Sequence, residues 1–313
     1  MGFDWPTSEQ VLYRVMRLRR LIAACVALPT VVLLIATVTN PEVLTAQNAT
    51  IAILSITALV VGHVVLFPNV TLETISLSLS ATLLILFMPV IRHVASWAPE
   101  EHVTAALILL TAFGVIATGV LCLLIQIVLN VMTYAGPALK RPILAEAELP
   151  CSPNVARRQC ALQPSTRRGR VLTGDVDSNG FFDVAVATPQ YVDPANADLP
   201  LVVRVDAKVL ESTDDRHDVM LVMRNGVVTV TSQTFTQTAT GCLLKVKDLP
   251  GDFTFGMHLL FWLTDQQSDH LTEMHDVIAG NAERANGLAH GVSLMSVAGT
   301  VLSPRAPATR QMD

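Results

Sequence analysis

The stretch from Leu21 to Thr39 reads LIAACVALPTVVLLIATVT, and it decides the fold of the first half of the chain. It carries no charged side chain, and about 20 such residues in a helix cross the roughly 30 Å of hydrocarbon in a bilayer. The stretch therefore predicts a transmembrane helix. No clean small-residue cleavage site separates it from the next apolar segment, so we expect a retained span rather than a signal peptide.

Three further apolar segments follow, at about 49–67, 75–91 and 104–134. Across residues 21–134 the only Lys or Arg is Arg92. We therefore predict a four-helix transmembrane bundle over 21–134. We predict a cytoplasmic amphipathic lead-in at 1–20, in which Thr7 and Gln10 have capping-box spacing and the arginines can reach lipid phosphates. The alternative is a plain cytoplasmic extension of the first span.

The basic residues predict how the bundle is oriented. They cluster before the first apolar segment and after the fourth, while the loops at 40–48 and 92–103 hold only Arg92. Cytoplasmic loops carry the excess of Lys and Arg, so both termini are expected on the cytoplasmic side of the cytoplasmic membrane. This arrangement requires an even number of spans.

A transport pathway usually needs charged groups at membrane depth, and the only candidates inside the predicted spans are His63, Gln126 and Asn130. His63 has two readings: an interhelical hydrogen bond or interfacial position, or a ligand or proton role. Gly114 and Thr118 have the small-xxx-small spacing of closely packed membrane helices. We interpret the bundle as an anchor and packing surface rather than a pore.

The second half has the composition of a soluble α+β domain. We divide it into a linker at 135–168, the domain at 169–303 and a disordered tail at 304–313. Residues 201–210 alternate as a strand, Asn225-Gly226 predicts a hairpin between 218–224 and 227–235, and 242–247 is a further strand. Apolar residues then recur at helical spacing from Leu260 to Ile278, which predicts one long helix, unless a capping box at Thr264 and Gln267 splits it. A short helix at about 288–302 follows.

This order of elements, with the stretch GMHLLFWLTD at 256–265, resembles the START-like (SRPBCC, helix-grip) superfamily. The resemblance implies a curved antiparallel sheet around a long C-terminal helix, enclosing an apolar cavity for lipids or other hydrophobic molecules. The superfamily usually has two short helices after its first strand, but only Thr188 to Pro200 is available for them, which implies a reduced or absent lid. The cavity is then expected to be lined by Val203, Val205, Phe235, Leu260, Leu263 and Met274.

One local motif indicates a cation. In GDVDSNGFFD at 174–183, Asp175, Asp177, Asn179 and Asp183 occupy positions 1, 3, 5 and 9 of a calcium loop, and the motif resembles a single FG-GAP-type propeller loop. Val186 stands where an EF-hand has Glu, and the sequence has no second copy of the motif. The alternative is a hairpin turn at Asn179-Gly180. No other cofactor is expected.

No catalytic motif of the GxSxG or phosphate-loop type occurs in the sequence. The net charge of −5 argues against nucleic acid as a partner. His258, His270, His275 and His290 lack zinc spacing and are interpreted as part of a solvated face.

Three functions remain open from the sequence. The first is a membrane-anchored, non-enzymatic module that binds a lipid, another hydrophobic ligand or a protein partner. The second is a structural or assembly subunit of a larger membrane protein complex, acting through the bundle. The third is an enzyme with His258 or Asp265 as candidate groups.

Overall fold

The computed structural model describes residues 5–42, 44–168, 171–193 and 196–280, and for 187–193 and 196–201 the backbone alone. The chain divides into two compact units, one from Trp5 to Ala135 and one from Gly136 onward. The expected short helix at 288–302, the tail at 304–313 and His290 lie outside the described residues.

The first unit is helical. Its helices are α1 (Ser8–Arg17), α2 (Arg19–Thr39), α3 (Ala46–Leu66), α4 (Thr71–Ala95) and α5 (Val103–Tyr134). By length and composition, α2 to α5 are long and apolar enough to cross a membrane. They match the four apolar segments of the sequence, but α4 begins four residues before the expected start at 75 and thereby includes Glu73.

Helix α1 begins at the expected capping box. Thr7 Oγ1 accepts from the Gln10 backbone N–H, and the Gln10 side chain accepts from the Thr7 N–H. Arg14 departs from the expectation that the lead-in arginines reach lipid phosphates. Its side chain is buried and its Nη1 donates to the Val65 carbonyl, in the last turn of α3, where a cation complements the helix dipole.

A buried row of hydroxyls runs along α4 and meets a defect in α2. Pro29 lies inside α2 and has no N–H, so the Cys25 carbonyl four residues earlier loses its helical partner. Ser78 Oγ donates to that carbonyl at 2.5 Å. Ser76 and Ser80 instead bond to carbonyls of α4 itself. Ser78 therefore joins two helices at the point where one lacks a hydrogen bond.

Helix α5 packs on α4 through the small-residue position expected from the sequence. A Cβ at Gly114 would lie 3.2 Å from Ile91 Cδ1 and 3.3 Å from Leu84 Cδ1, so only glycine permits this approach without displacing a neighbour. Thr118 Oγ1 donates to the Gly114 carbonyl. The opposite side of α5 exposes large apolar residues such as Phe113, Ile116 and Leu124.

In its described residues, the second unit is one antiparallel sheet with three helices. The eight strands are β1 (Ile143–Leu149), β2 (Arg167–Arg168), β3 (Val171–Thr173), β4 (Phe181–Asp193), β5 (Asn196–Ser212), β6 (Arg216–Val222), β7 (Val228–Gln237) and β8 (Cys242–Leu249). Their order in the sheet is β1-β8-β7-β6-β5-β4-β3-β2. The helices are α6 (Pro153–Cys160), α7 (Phe255–Thr264) and α8 (Gln266–Ile278).

The segment 135–168, expected to be a linker, instead holds β1, α6 and β2. Its prolines suggested an irregular segment, but Pro142 and Pro150 flank β1, and Pro153 is at the first turn of α6, where a missing N–H costs nothing. Strand β1 pairs along its full length with β8. Because the first strand precedes α6, one short helix does follow it. Residues 188–193 and 196–200, expected to hold the lid, belong to β4 and β5 instead.

The prediction of one long C-terminal helix is wrong, because the structure has two helices there, α7 and α8. Asp265 takes a left-handed conformation with φ 50°, which ends α7 and starts α8. The alternative of a split is correct, but not its capping box, because Thr264 Oγ1 bonds back to the Leu260 carbonyl. Asp265 Oδ1 accepts from Ser268 Oγ at 2.8 Å.

The predicted Asn225-Gly226 hairpin is present between β6 and β7, but its turn is not the two-residue type I′ turn that Asn-Gly favours. A two-residue turn would need positive φ at both residues, but of the two only Gly226 has it, at 81°. The Gly226 N–H donates to the Met223 carbonyl and the Met223 N–H to the Val227 carbonyl. This is the longer hairpin loop, in which a glycine follows a tight turn.

Two apolar clusters lie on the face of the sheet that we call the inner face. The first joins β1, β7 and β8 to α6 and α8, through Leu149, Phe235, Leu244, Val246 and Leu271. The second joins β4, β5 and β6 through Phe182, Val184, Ala207 and Val219. The strand registers place both clusters on the same face. The core of this unit is therefore in two parts along one sheet.

Candidate functional site

Five of the six expected cavity residues are divided between the two clusters and α7. Phe235 is buried in the first cluster and Met274 packs against it. Val205 packs against the second cluster. Leu260 and Leu263 belong to α7, where Leu263 is buried and Leu260 half-buried. The structure thus brings together only Phe235 and Met274 of the expected set.

Val203 departs from the expected interior position, since it is 42% exposed. Strand β5 pairs with β4 over most of its length but with β6 only from Asp206 onward. Val203 therefore lies where β4 and β5 extend beyond β6, without a third strand to cover it.

Between the two clusters the inner face carries polar side chains. We call Thr231, Gln233, Asp248 and Gln267 the inner-face polar group. Thr231 is opposite Asp248 in register, and Gln233 is opposite Val246, so Gln233 and Asp248 are diagonal neighbours on the same face. Diagonal neighbours on adjacent strands lie about 7 Å apart at their Cα atoms. Gln267 reaches them from α8, where its Nε2 donates to Asp248 Oδ2 at 2.5 Å.

Two acceptors of this group are buried without a hydrogen-bond partner in the described part of the chain: Gln233 Oε1 and Asp248 Oδ1. Gln233 is only 8% exposed. A buried acceptor with no donor costs on the order of 1–3 kcal/mol, so folded proteins keep few of them. The third such atom, Arg157 Nε, is on α6, where the guanidinium donates to Thr213 O at 3.0 Å.

Asp248 is also electrostatically perturbed. Burial raises the pKa of its carboxyl above the ordinary value, while hydrogen bonds from Thr231 and Gln267 and the nearby His270 act in the opposite direction. The inner face thus holds a carboxyl that binds its proton more tightly than an exposed one. Such a group can accept a hydrogen bond when ionised and donate one when protonated.

His217 lies next to this group and is fully satisfied. It is opposite Gln233 in register. Its Nε2 lies 2.9 Å from the Leu162 carbonyl, which can only accept, so Nε2 carries the proton and Nδ1 accepts from Ser212 Oγ. Burial lowers the pKa of His217. We interpret it as a neutral residue that fixes the chain after α6 to the sheet.

The inner-face polar group is not among the residues predicted from the sequence, although a signal for it exists. In β7 and β8 the alternate positions Phe235, Leu244 and Val246 are apolar and inward. Gln233 and Asp248 occupy the same parity and are polar. A polar residue in an otherwise apolar series marks a buried polar group. The sequence alone does not predict which of their oxygens lack a hydrogen-bond partner, because this depends on the strand register and on the position of Gln267.

The predicted calcium loop connects the antiparallel strands β3 and β4, which agrees with the alternative prediction of a hairpin turn. Asp177 Oδ1 accepts from the backbone N–H groups of Asn179 and Phe181, both at 2.8 Å, and Gly180 has φ 83°. Asp183 Oδ2 pairs with Arg204 at 2.6 Å. Asp175 accepts from Ser165, and with Asp177, Asp183 and Asp206 it lines an open pocket of about 350 Å³. Among the described residues no group of three ligating side chains has a geometry for a metal ion.

The candidate enzymatic groups have structural contacts. His258 Nε2 lies 3.1 Å from the Leu139 carbonyl, and Asp265 is at the break between α7 and α8. His270 is 3.9 Å from Glu273, and His275 is 3.2 Å from Asp276. These contacts place the described histidines of α8 among its acidic neighbours.

A second buried polar cluster lies in the helical unit. His63 Nε2 is 2.9 Å from Glu73 Oε1, and His63 Nδ1 is 3.0 Å from Thr74 Oγ1. The interhelical hydrogen bond expected for His63 is therefore present. Thr74 Oγ1 donates to the Val70 carbonyl and can accept from the Nδ1–H of His63. Glu73 is not among the predicted polar residues of the bundle because the third predicted span starts at 75, whereas α4 starts at Thr71.

The comparisons with known proteins show no family. No family model matches the chain, and no curated protein matches it. Among solved structures, protein MLL2253 from Mesorhizobium loti is 13% identical, with a TM-score of 0.33 over 45% of this chain and 97% of that one. Protein CV1439 from Chromobacterium violaceum is 15% identical, with a TM-score of 0.33 over 45% and 98%. The di-domain ARO/CYC StfQ from the steffimycin biosynthetic pathway is 12% identical, with a TM-score of 0.24 over 50% and 51%.

Proposed function

We propose that this chain is a membrane-anchored binding protein, without an enzymatic reaction of its own, whose second unit holds an apolar molecule that carries hydrogen-bond donors. The observation that carries the proposal is the pair of buried acceptors, Gln233 Oε1 and Asp248 Oδ1, on the inner face of the sheet. Both atoms can be satisfied by N–H or O–H groups of a ligand, which removes the cost of leaving them unpaired.

The two apolar clusters support the apolar part of this ligand. Phe235, Leu244 and Val246 lie on one side of the polar group, and Val219 and Phe182 lie on the other. Ligand sites are commonly apolar surfaces with a few polar groups that fix orientation. A lipid or a comparable amphiphile with an amine, amide or hydroxyl group has this chemistry.

The membrane part of the proposal is supported by α2 to α5. Each is long and apolar enough to span a bilayer, and their outer faces expose large apolar residues such as Val38, Leu54, Phe87 and Phe113. The basic residues before α2 and after α5 favour cytoplasmic termini. In this arrangement the binding unit is on the cytoplasmic side.

Native mass spectrometry of the full chain, extracted gently from the membrane in which it is made, tests the binding proposal. We expect a small-mass adduct on the parent chain. Gln233→Met should lose this adduct and also raise the free energy of unfolding by about 1 kcal/mol, because an unpaired acceptor is replaced by an apolar side chain of similar size.

The matched control is Gln237→Met, on the same strand. Gln237 is exposed and its Nε2 donates to the carbonyls of Thr238 and Gly241. This variant should keep the adduct and gain no stability. If Gln233→Met retained the adduct at the parental level, the inner-face polar group would not be the binding site.

The alternative function is a structural or assembly subunit of a larger membrane protein complex. The exposure of α5 favours it, since no residue in its most apolar stretch is buried. An apolar helix that packs against α4 on one side has surface for another subunit as well as for lipid. A large assembly in the same mass spectra, with no small-mass adduct, would make this alternative the working function.

A further inference from the structure

Helix α7 exposes a stripe of large apolar side chains. Phe255, Leu259 and Trp262 are 70%, 42% and 56% exposed, and their spacings of four and three residues place them on one side of the helix. Leu263, on the other side, is buried. A short helix of this composition is normally covered on both sides, because exposed aromatic and leucine side chains are excluded by water.

The start of α7 is fixed to the chain that follows α5. The Leu139 N–H donates to the Phe253 carbonyl at 2.7 Å, and His258 Nε2 lies 3.1 Å from the Leu139 carbonyl. The Phe253 ring packs edge-on against Phe261 at 4.8 Å. These contacts hold α7 beside the residues that enter the second unit.

Two exposed basic residues come directly after Leu139, namely Lys140 and Arg141. Only residues 135–138 separate Leu139 from Tyr134, the last residue of α5. A connection of this length spans at most about 17 Å. If α5 ends at a membrane surface, the start of α7 is within that reach of the lipid headgroups.

We propose that α7 docks on the bilayer that anchors the chain, with Phe255, Leu259 and Trp262 in the boundary between headgroups and acyl chains and Lys140 and Arg141 at anionic headgroups. Aromatic residues favour this boundary, and basic residues next to an apolar helix face favour anionic lipid. The inference rests on the proposed membrane anchoring. It adds a second attachment, which holds the binding unit against the lipid surface from which an amphiphile would be taken.

Trp262 fluorescence in vesicles tests the docking. The full chain carrying Trp5→Phe and Trp97→Phe is reconstituted in phosphatidylcholine and phosphatidylglycerol, with the phosphatidylcholine brominated near the top or near the bottom of its acyl chains. Trp262 should lose most of its emission with the top-brominated lipid and little with the bottom-brominated one. The matched control carries Leu172→Trp as its single tryptophan, at an exposed position of β3, and should not be quenched.

A third variant separates failure of the docking from failure of the anchoring. It keeps only Trp97, between α4 and α5, which should be quenched whenever the helices span the bilayer. Quenching of Trp97 without quenching of Trp262 would overturn the docking and leave the anchoring intact. Absence of quenching at both positions would overturn the anchoring and the docking together.

The charge contribution is tested by Lys140→Glu with Arg141→Glu. This pair should weaken Trp262 quenching in vesicles with phosphatidylglycerol and leave it unchanged in pure phosphatidylcholine. The control pair, Lys245→Glu with Lys247→Glu, makes the same change of net charge on β8. An equal loss with both pairs would overturn the assignment of Lys140 and Arg141 as the headgroup contacts.

Discussion

Ser78 Oγ donates a hydrogen bond to the Cys25 carbonyl, which Pro29 cannot do because it has no N–H. A single hydroxyl of α4 thus replaces the hydrogen bond that α2 lacks. We expect Ser78→Ala to lower the free energy of unfolding of the full chain in detergent by about 1 kcal/mol, because an apolar environment offers that carbonyl no water. Ser76→Ala is the matched control. Ser76 is equally buried but bonds within α4, and its loss should cost less.

A double-mutant cycle isolates this effect. Pro29→Ala restores an N–H to α2, which can bond the Cys25 carbonyl directly. In that background Ser78→Ala should cost no more than Ser76→Ala. An undiminished cost in the Pro29→Ala background would mean that Ser78 acts by packing rather than by satisfying the carbonyl.

The raised pKa of Asp248 predicts a pH-dependent stability. The folded protein binds the Asp248 proton more tightly than the unfolded chain, whose carboxyl titrates near 3.8. Below that pH both forms are protonated and Asp248 costs nothing. As pH rises through the folded pKa the ionised carboxyl becomes destabilising.

Asp248→Asn should therefore raise the melting temperature at neutral pH, and the gain should vanish on acidification toward pH 3.8. Thermal melts of the parent and the variant over a pH series measure this. The control is Asp252→Asn, in the exposed turn after β8, which should show no such trend. A gain that grew on acidification would have the wrong sign for a carboxyl with a raised pKa.

The same residues show how far sequence reasoning reaches. Alternation along 201–210 predicts a strand and its two faces, the run at 242–247 predicts a further strand, and the structure contains both strands. Gln233 and Asp248 can be recognised as inward by parity alone. Their unpaired oxygens depend on which side chains α8 presents, and α8 is positioned by a left-handed residue, Asp265, that carries no glycine or proline signal.

At the scale of elements, the His63–Glu73 pair joins α3 to α4 across a short connection. Removing one partner of a buried pair leaves the other polar group without compensation, at a cost of about 3 kcal/mol or more. We expect Glu73→Ala to destabilise the helical unit by about this amount, measured by unfolding in detergent. Glu73→Gln keeps a hydrogen-bonding side chain and should cost less.

Glu42→Ala provides the comparison, since Glu42 is exposed in the loop after α2 and its loss should change stability by less than about 0.5 kcal/mol. A second comparison is the double variant Glu73→Ala with His63→Ala, which should be less destabilised than the sum of the single variants. Additive costs would show that the two side chains contribute independently.

The elements also differ in how well the sequence predicts them. The helices α2 to α5 follow from long, predominantly apolar stretches of sequence, which few other structures share. Strand β1 reads ILAEAEL, and its alanines and glutamates favour a helix, so only its pairing with β8 makes it a strand. Strands β2 and β3 are too short to show a hydrophobic periodicity in the sequence.

For the whole molecule, the chain enters its second unit through β1, which pairs with β8 at one edge of the order of strands. Helix α8 packs against that same strand through the first apolar cluster. The polar group, the covering helix and the entry strand therefore share one part of the sheet. Under the proposed function, a molecule bound at Gln233 and Asp248 would lie beside the strand through which the chain enters the second unit.

The proposed topology predicts opposite accessibility for two exposed positions. Glu42, in the loop between α2 and α3, and Asp214, between β5 and β6, are each replaced by Cys in the full chain. Four spans and cytoplasmic termini place residue 42 outside the cell membrane and residue 214 inside, so a membrane-impermeant maleimide should label Glu42→Cys in intact cells and Asp214→Cys in inverted vesicles. The parent chain, whose five cysteines are buried or half-buried, serves as the blank. In this arrangement three crossings, α3 to α5, separate the loop after α2 from the second unit, so the two positions lie on opposite sides. Labelling of both positions from the same side would therefore contradict either the number of spans or the insertion itself.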